Sequence, residues 1–174
     1  MKTSTFALIF GIAYLAAGLL GLIPASLVPP PADAPATRFA LIYGYFLGLF
    51  PVNVLHSALH IAIGVWGISA WAQRTSAMTY AKALAVLFAL LALLGVIPGA
   101  NTLFGLMPIH GHDVWLHAAT AVIAAYFAWW HVEAPAKERR RSLMDRRQRV
   151  VPVARERRFG LADRRESFAG VHAA

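Results

Sequence analysis

Charged side chains are almost absent from the first three quarters of this chain. Residues 1–132 contain six of them: Lys2, Asp33, Arg38, Arg74, Lys82 and Asp113. The remaining 42 residues hold 12 of the 16 basic and 6 of the 8 acidic residues. A soluble domain keeps a charged surface, whereas a charge in the hydrocarbon core of a bilayer costs about 2.5–3.5 kcal/mol. The sequence therefore predicts a membrane domain over residues 1–132 and a separate basic tail over residues 133–174.

Hydropathy divides the membrane domain into four apolar segments, each close to the roughly 20 residues that a spanning helix needs. We place the spans at residues 5–23, 52–71, 80–97 and 113–131. The first is longer than the apolar region of a signal peptide, about 7–15 residues, so we expect it to be retained. A helix running through Pro51 would be too long for a bilayer, and we predict a short interfacial helix or a re-entrant segment over residues 39–49.

Two stretches of the chain match each other at a constant offset of 57 residues. Residues 47–60 read LGLFPVNVLHSALH and residues 104–117 read FGLMPIHGHDVWLH. The first and third spans also close on similar motifs, GLIP at 21–24 and GVIP at 95–98. These matches predict a tandem-duplicated helical hairpin. The expected fold is an all-α membrane protein with four transmembrane helices, in which both copies point the same way.

The basic residues predict the orientation of this domain. Lys2, Arg74, Lys82 and the arginine-rich tail all fall on one side of the predicted spans. The positive-inside rule makes that side cytoplasmic. We therefore expect a multi-pass protein with both termini in the cytoplasm.

Each matched stretch carries a polar pair four residues apart, His56 with His60 and Asp113 with His117. Residues at that spacing share one face of a helix. Ionisable side chains inside a membrane usually face the interior of the helical domain, so the four groups could converge there. Three imidazoles and a carboxylate suit a divalent ion such as zinc, iron, manganese or copper. We expect His110 and His112 at the mouth of such a site.

Two other interpretations of this cluster stay open. His60 and His117 occupy equivalent positions of the repeat and could clamp a haem from both faces. The cluster could instead be an interhelical lock, joining His60 to Asp113 or His56 to His117 by hydrogen bonds worth roughly 0.6–2 kcal/mol in membranes.

The function predicted first is a structural or accessory subunit held by such a lock, as a homo-oligomer or in a larger membrane complex. The alternative is a metal- or haem-binding protein with a redox or sensing role. Enzymatic activity is disfavoured, because the sequence shows no nucleophile paired with a base, no paired catalytic carboxylates and no phosphate-binding loop.

The tail contains two similar blocks, RRRSLMDRR and RRFGLADRR, at residues 139–147 and 157–165. We expect a largely disordered arm that binds anionic lipid, at about 1 kcal/mol for each basic residue near the surface. An acidic partner protein is the alternative, and nucleic acid is disfavoured as a partner because no fold or aromatic platform accompanies the charge. The residues predicted to contact the membrane surface are Arg139, Arg140, Arg141, Arg146, Arg147, Arg157, Arg158, Arg164 and Arg165.

Over about residues 5–130, the two histidine stretches with the GLFPVN and GLMP motifs resemble the bacterial membrane-protein family catalogued as domain of unknown function 4383. The resemblance implies a four-helix integral membrane protein of the bacterial inner membrane. It implies no assigned activity, and the tail lies outside it.

Overall fold

The computed structural model describes residues 1–131 of the chain, and the predictions for the tail lie outside the described residues. The described part is mostly helical. Its α-helices are α1 Thr3–Leu20, α2 Val54–Ala70, α3 Arg74–Gly95 and α4 His112–Ala125, and α4 continues into a π-helical segment, Tyr126–Trp130. Two helices are long and apolar enough to cross a membrane, over Thr3–Leu20 and Thr75–Gly95, while α2 is apolar but shorter.

A small antiparallel β-sheet precedes α2, where we predicted an interfacial helix over residues 39–49. Its strands are β1 Leu27–Val28, β2 Gly44–Phe46 and β3 Phe50–Val52, in the order β1-β2-β3. The turn between β2 and β3 contains two left-handed residues, Leu47 (φ 55°) and Gly48 (φ 72°). The helix prediction was wrong because the backbone reverses at this point.

Pro51 lies in β3 opposite Tyr45 and not in the first turn of α2. Proline is tolerated there because β3 is an edge strand and needs no N–H on its free side. The aromatic residues of the segment favour strands. However, β2 pairs with β1, which precedes the proline-rich loop. A local sequence pattern does not predict a pairing between segments so far apart.

Glycines let α1 and α2 pack backbone to backbone. A Cβ atom added to Gly11 would lie 2.6 Å from the backbone nitrogen of Ile68, and one added to Gly18 would lie 2.6 Å from the carbonyl oxygen of Ser57. Both distances are too short for any side chain. α1 therefore packs mainly against α2, and α3 packs mainly against α4.

Aromatic rings form the centre of the described domain. Phe6 of α1 stacks on Phe127 of the π-helical segment, with ring centroids 4.8 Å apart. Tyr14 of α1 stacks on Phe88 of α3 at 5.1 Å. These contacts hold α1 against α3 and the end of α4, and they enclose the space in which the predicted histidines meet.

Candidate metal centre

Asn53 fixes the start of α2 and is fully buried. Its Oδ1 accepts a hydrogen bond from the backbone N–H of His56 at 3.0 Å, which caps the helix. Its Nδ2 donates to the carbonyl oxygens of Phe39 at 2.8 Å and Leu106 at 2.7 Å. One side chain thus ties the first turn of α2 to the loops that precede α2 and α4. This places His56 relative to the residues that follow in α4.

Three histidines from two helices meet in the interior. His56 and His60 from α2 and His117 from α4 each offer one ring nitrogen, and these atoms all lie within 4.8 Å of one another. The ring centroids of His56 and His60 are 4.5 Å apart, and those of His56 and His117 are 6.2 Å apart. Asp113 lies beside them, with its Oδ2 at 3.7 Å from Nδ1 of His56. The four side chains singled out in the sequence therefore come together.

Several polar atoms of this cluster are buried and make no hydrogen bond with the described residues. They are Nδ1 of His56, Oδ2 of Asp113 and Nδ1 of His117. Buried polar atoms in proteins are nearly always paired, and leaving one unpaired costs about 1–3 kcal/mol. The cluster thus contains nitrogen and oxygen atoms without a hydrogen-bond partner, and atoms of these types are common metal ligands.

The His56 ring also lies close to the backbone of Pro108 and Pro51. In metal sites, a ligating histidine often directs its second ring nitrogen to a backbone carbonyl group, which orients the ring. Pro51 and Pro108 are the two prolines that match at the offset of 57 residues.

Aromatic rings close the sides of the cluster. The ring of Tyr14 lies 5.0 Å from that of His60, and the ring of Phe88 lies 5.1 Å from that of His117. The Tyr14 hydroxyl and Thr120 Oγ1 share a hydrogen bond of 3.0 Å. Tyr14 and Asn53 are not among the residues predicted from the sequence to form the site. An asparagine just before an apolar run is a recognised helix-start signal and could have been found.

The two histidines expected at the mouth stay outside the cluster of three. His112 is exposed as the first residue of α4. His110 is buried in the preceding loop, with its ring 6.3 Å from that of Tyr45. Burial lowers the pKa of His110 and favours its neutral form.

The geometry suits an ion better than a haem. Nitrogens bound to zinc at about 2.1 Å lie roughly 3.4 Å apart, so the ring nitrogens, which lie within 4.8 Å of one another, would move closer by up to about 1.4 Å around an ion. A fourth ligand position could be filled by Asp113 or by an added molecule. A haem between His60 and His117 would have to displace His56, because His56 offers a nitrogen within 4.8 Å of both.

Comparison with known proteins identifies the family to which the chain belongs. No curated protein and no solved structure matches the chain. A family model matches residues 4–130, which include the whole cluster and all of the four described α-helices except Thr3. The chain therefore belongs to the family described as Domain of unknown function (DUF4383).

Proposed function

We propose that this chain is an integral membrane protein that binds one divalent transition-metal ion through His56, His60 and His117, with Asp113 beside the ion. The main support is the set of three ring nitrogens within 4.8 Å of one another. Ionisable groups inside a membrane domain are costly, and they are retained where they serve a function. A bound ion would supply partners for the donor atoms that the described residues leave free.

The surface of the helices supports a membrane location. Large apolar side chains are more than half exposed on all four described α-helices, among them Ile12, Val65, Val86, Leu93 and Val122. A soluble monomer rarely exposes so much contiguous apolar surface. We infer four spans in the inner membrane of a bacterium, with Lys2, Arg74 and the basic tail on the cytoplasmic side. The second span would include β3 with α2, and the fourth would include the π-helical segment.

The donor set narrows the choice of metal. Imidazole nitrogens suit zinc, copper and iron, whereas manganese prefers a site richer in oxygen. With three histidines and one carboxylate, the site is open to zinc in a sensing role or to iron or copper in a redox role.

The interhelical lock is the second candidate, and the contact between His56 and Asp113 supports it. Their nearest polar atoms are 3.7 Å apart, so they attract each other only if His56 is protonated. That distance is too long for a hydrogen bond. The pairs predicted for the lock, His60 with Asp113 and His56 with His117, make no hydrogen bond in the described part of the chain.

Metal analysis of the purified protein tests the first proposal. The protein in detergent, loaded with zinc and dialysed, should carry about one ion per chain by inductively coupled plasma mass spectrometry. His117→Ala should lower the zinc affinity more than the roughly 10–100-fold that loss of a supporting group costs. The matched control is His112→Ala, an exposed histidine of the same helix, which should keep the ion. Equal zinc content in both variants, or none in the wild type, would reject the metal site.

A further inference from the structure

A second feature of the interior is a cavity of about 180 Å³ between α1 and α4. Ala13 and Ala17 form its wall on α1, and Leu116 and Thr120 form its wall on α4. The ring of His60 also lines it. His60 is the most exposed histidine of the cluster, at 8%, against 2% for His56 and 1% for His117. The exposed part of this histidine therefore faces a space that a molecule can enter.

The cavity opens on the apolar outer surface of the helices. Ala13 is exposed, and Leu116 at the opposite edge is 40% exposed. In the proposed membrane location both residues face acyl chains, so a molecule would enter from the lipid phase. We propose that this cavity binds a small monocyclic molecule with one hydroxyl group, a phenol, whose ring lies against His60. The inference rests on the proposed membrane location but does not need a bound metal.

The size and walls of the cavity set the chemistry of this ligand. An apolar cavity of about 150 Å³ binds benzene, so a volume of about 180 Å³ accommodates one six-membered ring with a small substituent. The walls are mostly apolar, with a polar pair formed by Tyr14 and Thr120. Each of these hydroxyl groups can take part in a further hydrogen bond. A phenol would use this capacity, whereas the end of an acyl chain would not.

Fluorine NMR on the metal-stripped protein in nanodiscs tests the proposal, with 4-fluorophenol as the probe. We expect a saturable shift of the fluorine signal at one probe per chain. Ala17→Phe fills the cavity and should weaken binding at least tenfold. The control Ala16→Phe adds the same ring at an exposed position of the same helix and should bind like the wild type. Thr120→Val should weaken 4-fluorophenol at least threefold and leave fluorobenzene, which has no hydroxyl, unchanged.

The possible failures are separable. A signal that rises without saturation in all variants means simple partition into lipid, and it would overturn the proposal. Undiminished binding to Ala17→Phe would do the same, as would equal affinity for fluorobenzene and 4-fluorophenol in the wild type. Zinc binding measured on a separate portion of the same preparation reports on the metal site alone. A protein that binds zinc but not the phenol, or the reverse, therefore tells the two proposals apart.

Discussion

Asn53 and the histidine cluster lie one helical turn apart, and both are buried and polar, yet their surroundings differ. Asn53 accepts one hydrogen bond and donates two, and all three are 3.0 Å or shorter. In the cluster, atoms of His56, Asp113 and His117 are equally buried and have no partner among the described residues. At the start of α2, the fold therefore provides hydrogen-bond partners for Asn53, a side chain that stabilises the structure. The ion proposed above would supply partners for the atoms of the cluster that lack them.

Removing Asn53 should have the largest effect on stability. Asn53→Ala loses three hydrogen bonds, each worth about 1 kcal/mol, and takes their partner from the His56 backbone N–H and from two part-buried carbonyl groups. We expect the free energy of unfolding to fall by about 3 kcal/mol, measured by denaturant titration in detergent. Asn101→Ala is the control, because the Asn101 side chain makes no hydrogen bond with other described residues. A loss below about 1 kcal/mol for Asn53→Ala would remove the contrast with the cluster.

Removing the Tyr14 hydroxyl, another buried polar group with a hydrogen-bond partner, should have a smaller effect on stability than removing Asn53. The Tyr14 hydroxyl bonds Thr120 Oγ1 in the interior, so Tyr14→Phe leaves one hydroxyl without a partner. We expect a loss of about 1 kcal/mol in the same titration. Tyr126→Phe, at a position that is 51% exposed, should change the free energy of unfolding by much less. Equal effects of the two substitutions would show that the bond between Tyr14 and Thr120 contributes nothing.

Two simple sequence patterns were enough to predict which residues form the cluster. Spacing of four residues put each polar pair on one helix face, and the offset of 57 residues related the two pairs. The backbone follows the same offset before the helices, since Leu47 and Phe104 have φ angles of 55° and 59°, and Gly48 and Gly105 have 72° and 90°. The helical class was predictable for a similar reason, because long uncharged runs leave few other choices.

The features that the sequence did not predict, such as the β-sheet and the position of Tyr14, depend on contacts between distant parts of the chain. The sheet forms only when β1 meets β2 across the proline-rich loop, at pairs such as Leu27 with Phe46. Tyr14 reaches the cluster only because glycines bring α1 close to α2, and nothing local to Tyr14 indicates this. The beginning of α3 at Arg74, six residues before the predicted span, reflects another limit. Hydropathy reports where a helix meets lipid and not where its hydrogen bonds begin.

The smallest expected change in stability is also the one that best separates a binding site from a lock. His117→Leu replaces a buried ring that has an unpaired nitrogen with an apolar side chain of similar size. In the metal-free protein we expect the free energy of unfolding to equal that of the wild type or to rise slightly, because the cost of an unpaired buried nitrogen is removed.

A lock requires the opposite sign, since losing an interhelical bond would cost roughly 0.6–2 kcal/mol. The control is His112→Leu, at an exposed position of the same helix. Titration with zinc completes the comparison, because a ligand that binds only the folded state stabilises it by an amount that grows with its concentration. Wild type and His112→Leu should gain stability with added zinc, and His117→Leu should not. The metal site would be rejected if metal-free His117→Leu were less stable than the wild type and zinc did not stabilise the wild type. The cluster would then have only a structural role, like Asn53.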